Sequence, residues 1–85
     1  MKNVTIYTTR VCPYCIRAKR LLEKKGVSYE ELKVDINPEL VEEAVAKSGG
    51  RRTVPQIFIE DYHVGGCDEL YALDAENKLN GLLGL

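Results

Sequence analysis

The chain has 85 residues, 45% of them apolar, with 12 Lys plus Arg against 13 Asp plus Glu for a net charge of −1. A chain this short buries only about two-thirds of the surface its unfolded form exposes, which predicts one small domain and excludes a multi-lobed enzyme carrying its own cofactor lobe. Neither sign of charge dominates, so a general binder of nucleic acid or acidic membrane is excluded too, and no apolar run approaches the roughly 20 residues of a membrane span.

The first predicted element is a strand over Asn3–Thr8, where Val4 and Ile6 alternate with Thr5 and Tyr7. A helix follows from Cys12, with Ala18, Leu21 and Leu22 at helical spacing, Lys24 and Lys25 in the last turn and Gly26 as its stop. Ser28–Val34 is a second strand. Asn37 as N-cap and Pro38 at the first helical position open a second helix, whose apolar stripe is Leu40, Val41, Ala44 and Val45 and which ends at Ser48-Gly49-Gly50.

Gln56–Glu60 and Tyr62–Val64 read as a strand pair joined by a tight turn. After the Gly65-Gly66 break, Asp68 is the expected N-cap of a last helix carrying Leu70, Tyr71 and Leu73 and ending near Asn77 or Lys78. Leu79–Leu85 adds one more apolar turn. The order β-α-β-α-β-β-α predicts an α/β fold of three helices on a four-stranded mixed sheet, over a single domain of residues 1–85.

Charge is unevenly placed along this order. Residues 10–25 carry six bases (Arg10, Arg17, Lys19, Arg20, Lys24, Lys25) against Glu23 alone, and residues 60–77 carry six acids without a Lys or Arg. The three cysteines, Cys12, Cys15 and Cys67, do not form the even-numbered framework of a secreted disulfide scaffold. Met1–Thr5 runs into a strand pattern without an apolar leader, so the expected compartment is a reducing cytoplasm. There a Cys-x-x-Cys pair serves redox chemistry or metal binding more often than stapling.

Cys12-Pro13-Tyr14-Cys15 lies where the first strand meets the first helix. With Cys12 as N-cap, Pro13 takes the one helical position where its missing N–H costs nothing. The Cys12 sulfur then faces the free N–H groups of Tyr14 and Cys15. A thiolate accepts these better than a thiol, and the helix dipole adds to the preference. Arg10 and Lys19 are expected to push the same way, holding the Cys12 pKa below the usual value of about 8.5.

Cys15 shares a helical stripe with Ala18 and Leu22, which turns its sulfur inward. An exposed, acidic thiol one turn from a shielded one can attack a substrate disulfide and then be released when the second thiol closes on it. A static disulfide is the bland alternative, which the helix-start context disfavours.

Zinc is a separate alternative, with Cys12, Cys15, His63 and Cys67 as ligands. The two pairs are separated by 47 residues, whereas zinc sites built on Cys-x-x-Cys usually close loops of about 12–20 residues. No metal is expected, His63 is assigned no role, and Cys67 reads as a buried small apolar residue. Thr53-Val54-Pro55 enters the third strand extended, leaving the Val54 N–H and C=O free to pair with an incoming peptide. The helix start at Gly65-Gly66-Cys67-Asp68 offers N–H groups to a carboxylate and Asp68 to an ammonium.

Together, Cys12-Pro13-Tyr14-Cys15, Thr53-Val54-Pro55-Gln56 and Gly65-Gly66-Cys67-Asp68 resemble the glutaredoxins, most closely the short bacterial dithiol type, and the resemblance spans essentially the whole chain. It implies a thioredoxin fold with strand order 2-1-3-4, a cis Val54–Pro55 bond, Cys12 as nucleophile and Cys15 as resolving thiol. It also implies glutathione as reductant, bound along Tyr14, Thr53, Val54, Pro55, Gly66, Cys67 and Asp68. One position departs from the family: where a Lys commonly stands three residues before the first active cysteine, this chain has Thr9, and Arg10, Arg51 or Arg52 is left to supply the charge.

The resulting expectation is a monomeric glutathione-dependent thiol–disulfide oxidoreductase acting on disulfide-bearing or glutathionylated proteins. A redoxin fed by thioredoxin reductase and an iron–sulfur carrier bridged by two glutathiones are the alternatives. Pro13 argues against the carrier, since cluster-binding relatives often have Gly there.

Overall fold

The structure, a computed structural model, describes residues 2–85; Met1, where the stretch read for a leader begins, lies outside them. Four strands, β1 (Val4–Thr8), β2 (Glu30–Lys33), β3 (Gln56–Ile59) and β4 (Tyr62–Gly65), form one sheet in the order β2-β1-β3-β4. β1 runs parallel to β2 and antiparallel to β3, and β3 and β4 are antiparallel. This is the expected 2-1-3-4 arrangement.

Four helices rather than three accompany the sheet: α1 (Pro13–Lys24), α2 (Glu39–Lys47), α3 (Cys67–Ala75) and α4 (Leu79–Leu83). The count differs because the chain leaves α3 at Ala75 and passes through left-handed Asn77 (φ 61°), so the Leu-rich end starts a separate helix. Leu79 and Leu83 of α4 are fully buried, and the Leu83 carbonyl accepts the Lys2 N–H at 2.9 Å. Among the described residues no helix is long and apolar enough to cross a membrane.

Strand alternation divides the core. Val4 and Ile6 of β1 pack with Ile57 and Ile59 of β3 against Ala18 and Leu22 of α1, Leu70 of α3 and α4. Tyr7 points the other way and joins Val34, Phe58 and Ala44 of α2 in a smaller cluster. There Tyr7 meets Phe58 edge-to-face at 5.8 Å, and its pKa is pushed up to about 12 by burial and the nearby Glu43.

Three local expectations shift by a residue or two. β2 is shorter than Ser28–Val34 because β1 offers it only Thr5–Thr8 as partners, although the Val34 N–H still reaches the Thr8 carbonyl at 2.9 Å. α2 begins at Glu39 with Pro38 at the cap, while the Asn37 side-chain oxygen accepts the Glu39 N–H at 3.2 Å. The cap of α3 is Gly66 rather than Asp68, because Glu69 reaches back and its carboxylate accepts the Gly66 N–H at 2.7 Å.

Candidate active site

The C-terminal end of β1 and the start of α1 carry both active cysteines. Cys12 is the N-cap, with extended backbone (φ −152°, ψ 97°), and Pro13 opens the helix. The Cys12 sulfur accepts the Cys15 N–H at 3.0 Å, and the two cysteines are joined by a disulfide. Cys15 is buried at 1% exposure and Cys12 retains 8%, so the first sulfur is the one substrate can approach. In the reduced protein the same N–H and the positive end of α1 favour charge on Cys12.

Opposite Cys12 lies the segment entering β3. The Val54–Pro55 bond is cis, and the Val54 carbonyl oxygen is 4.0 Å from the Cys12 sulfur. Beside it opens a cavity of about 140 Å³ lined by Tyr14, Arg51, Thr53, Val54, Pro55, Gly66, Cys67, Asp68 and Glu69. The three sequence segments thus converge on one groove. At Gly66 an added Cβ would only reach ordinary contact with the Pro55 carbonyl, at 3.4 Å, whereas at Gly65 it would collide with the Glu69 carboxylate. Gly65 also has φ +111°, a conformation that L residues rarely adopt.

The floor and rim differ in polarity. Cys67 is buried at 3% exposure, and that burial pushes its thiol pKa up despite the opposing pull of Arg17. Arg51 pairs with Glu69 at 3.0 Å across the mouth. The Gly66 N–H and then the Arg51 guanidinium hold the Glu69 carboxyl below its ordinary range. Tyr14 is half-exposed, and its ring and that of Tyr71 lie 5.9 and 5.3 Å from the Arg17 guanidinium carbon.

In the disulfide form, the groups expected to favour a Cys12 thiolate have other partners. Arg10 is engaged by Asp35, whose carboxylate accepts both its N–H at 3.1 Å and its Nε at 3.0 Å. Lys19 reaches down to Glu31 at 2.9 Å, where the Thr8 hydroxyl also donates at 2.7 Å. Both cations are thereby committed to carboxylates near β2. The Tyr14 N–H, expected at the Cys12 sulfur beside that of Cys15, makes no such bond. Of Arg10, Arg51 and Arg52, it is Arg51 that lines the groove. Thr9 directs its hydroxyl to the Val11 carbonyl at 3.5 Å.

Glu69 was missed, although a Glu three residues after a helix cap is the signature that finds it. Gln56 and His63 were also passed over; no local pattern marks a pair that meets only across strands. Among the described residues, no group of three or more His, Cys, Asp or Glu is gathered as metal ligands would be.

The family model for glutaredoxin matches residues 4–64. This chain belongs to the glutaredoxin family. It is 59% identical over 83 residues to glutaredoxin 3 of Escherichia coli strain K12, covering 98% of this chain and 99% of that one. Among solved structures, a dithiolic glutaredoxin of Trypanosoma brucei brucei superposes with a TM-score of 0.86 at 38% identity, over 96% of this chain and 87% of the other. A buckwheat glutaredoxin–glutathione complex superposes with a TM-score of 0.86 at 30% identity, over 95% and 76%. The glutaredoxin described here is a glutathione-dependent thiol–disulfide oxidoreductase with a thioredoxin-like fold.

Proposed function

We propose that this glutaredoxin reduces glutathione mixed disulfides and protein disulfides with Cys12 as the attacking thiolate and Cys15 as the resolving thiol. The observation that carries this is the Cys12 sulfur itself, bonded by the Cys15 N–H at 3.0 Å and lying 4.0 Å from the Val54 carbonyl at the edge of the groove.

With a mixed disulfide, Cys12 attacks the glutathione sulfur. The substrate S–S bond breaks, a Cys12–glutathione disulfide forms, and the substrate cysteine leaves as a thiolate that takes a proton from water. A second glutathione thiolate attacks the bound glutathione sulfur, releasing glutathione disulfide and regenerating Cys12. With a protein disulfide, Cys12 first attacks one substrate sulfur, breaking the substrate S–S bond, forming a Cys12–substrate mixed disulfide and expelling the other cysteine as a thiolate. Cys15 then loses its proton and attacks the Cys12 sulfur, closing the Cys12–Cys15 disulfide and expelling the second substrate thiolate. Two glutathiones then return the pair to the dithiol.

In this reading glutathione lies extended along Thr53 and Val54, its backbone pairing with the Val54 N–H and C=O as an added strand would. Asp68 meets its α-amino group. The N–H groups at the start of α3 and the Arg51 guanidinium face its carboxylates, and the Tyr14 ring forms one wall. Protein partners are disulfide-bearing or glutathionylated chains, the working unit is a monomer, no resident metal is needed, and a reducing cytoplasm is the proposed compartment.

A coupled assay with glutathione, glutathione reductase, NADPH and a small glutathione mixed disulfide tests the assignment. Cys12→Ser is expected to lose turnover to background and Cys15→Ser to keep it at least in part. Turnover that survives in Cys12→Ser, or that needs thioredoxin reductase instead of glutathione, overturns it.

A further inference from the structure

Behind the groove wall, on the face of the sheet away from the thiols, lies a side-chain relay that the chemistry above does not use. Gln56 is fully buried. Its amide nitrogen donates to the Thr53 carbonyl at 3.0 Å and approaches the Thr53 hydroxyl at 3.2 Å, and its amide oxygen lies 2.7 Å from His63 Nε2. His63 is half-buried and stacks on Phe58 with ring centroids 4.8 Å apart. The register of β3 with β4 jumps between Ile57 and Phe58, so that Ile57 faces Gly65 and Phe58 faces His63.

The donor and acceptor assignments follow from the Thr53 carbonyl, the group in this relay whose role is fixed. A backbone carbonyl only accepts, so the Gln56 nitrogen faces Thr53 and its oxygen faces His63. An oxygen there needs a donor, so His63 carries its hydrogen on Nε2. Among the described residues, the hydrogen bonds that hold Thr53 come from Gln56. Thr53 precedes Val54, whose carbonyl borders the Cys12 sulfur.

We propose that His63 is a positioning residue for glutathione: through Gln56 it fixes the Thr53–Val54 segment in the form that pairs with the peptide. This deepens the groove assignment above and rests on it. The charged groups around His63 are consistent with a neutral donor. Burial and then Arg51 lower its pKa against the opposing pull of Glu69, while Lys47 of α2 lies 5.8 Å above the Phe58 ring on which it stacks. Because Nε2–H persists whether or not Nδ1 is protonated, the relay holds across neutral pH.

The test follows binding of S-methylglutathione, which cannot react, by amide chemical shifts in the reduced protein. His63→Phe keeps the stacked ring but leaves the Gln56 oxygen without a donor, and is expected to weaken binding about five- to tenfold. The kcat and the pH profile of Cys12 alkylation are expected to stay unchanged. His63→Gln, which returns a donor to the Nε2 position, is expected to restore binding to within about twofold. If the Phe variant does not fold, Gln56→Met removes the same relay and is expected to shift binding likewise. Imidazole nitrogen shifts of the wild type are expected to show a neutral ring protonated at Nε2.

Unchanged affinity in a folded His63→Phe or Gln56→Met protein, while the wild-type Val54 amide still responds to ligand, overturns the relay alone. A ring protonated only at Nδ1 does the same. A wild-type Val54 amide that does not respond to ligand overturns the groove assignment, and the relay with it.

Discussion

On the side of the sheet covered by α1, α3 and α4, the molecule buries a continuous cluster of thirteen apolar residues, from Val4 and Leu22 to Leu79 and Leu83. On the side covered by α2 the buried apolar cluster has four members, Tyr7, Val34, Ala44 and Phe58, and polar groups share that layer. Gln56 is fully buried there, and the Tyr7 hydroxyl is buried without a hydrogen-bond partner among the described residues. The two sides hold different halves of the active site. Dense packing fixes α1 and with it the cysteine pair, whereas a thin layer stitched by hydrogen bonds backs the Thr53–Val54 wall. Close packing resists displacement in every direction, while a directional relay fixes one conformation and fails when a single donor is lost.

The largest effect that separates the sides is expected from Leu22→Ala. Leu22 is fully buried under α1, so the cavity is expected to cost about 2–5 kcal/mol in denaturant unfolding, with an unchanged slope. Phe58→Leu on the other side loses the edge contact with Tyr7 and the stack with His63. It is expected to cost only about 1–1.5 kcal/mol, yet to weaken glutathione binding more than Leu22→Ala does. Equal loss of affinity in the two variants would erase the distinction. Smaller still is Tyr7→Phe, which removes the unpartnered hydroxyl and is expected to leave stability unchanged or raised by up to about 1 kcal/mol, read as a midpoint shift.

The smallest effect is electrostatic. The Gly66 N–H and Arg51 depress the pKa of the half-exposed Glu69 below its usual 4.5. A depressed carboxylate contributes its stabilisation in full above the unfolded value and loses it as pH falls through the folded one. Faster hydrogen exchange at the Gly66 amide, beyond the intrinsic pH trend, is therefore expected below about pH 4.5 and not above it. Glu69→Gln is expected to abolish that acid dependence.

What the sequence made legible was local. Cys12 capping α1 with Pro13 behind it is decided by four adjacent residues, and the structure repeats it without change. The strand order and the cis Val54–Pro55 bond came through the family likeness rather than through propensity, since neither follows from nearest neighbours. What stayed hidden depends on partners remote in the chain. Arg10 and Lys19 lie close to Cys12 in sequence, but Asp35 and Glu31, 25 and 12 residues further along, take their charge. Asp68 has the right residue type for a cap, yet Glu69 has the right spacing, and geometry decides for Glu69. His63 carried no signal because its partner Gln56 faces it only once β3 and β4 are paired.

The hydrogen bond from residue 15 to the Cys12 sulfur comes from the main chain, and this bears on how cysteine variants are interpreted. Residue 15 contributes twice, once through its thiol and once through its amide, and the familiar exchange of Cys for Ser subtracts only the first. A Cys15→Ser protein therefore keeps the amide donor to the Cys12 sulfur and is expected to report on resolution alone. Only Cys15→Pro deletes the amide donor, and comparing the alkylation rates of these two proteins would separate the making of a nucleophile from the unmaking of its adduct.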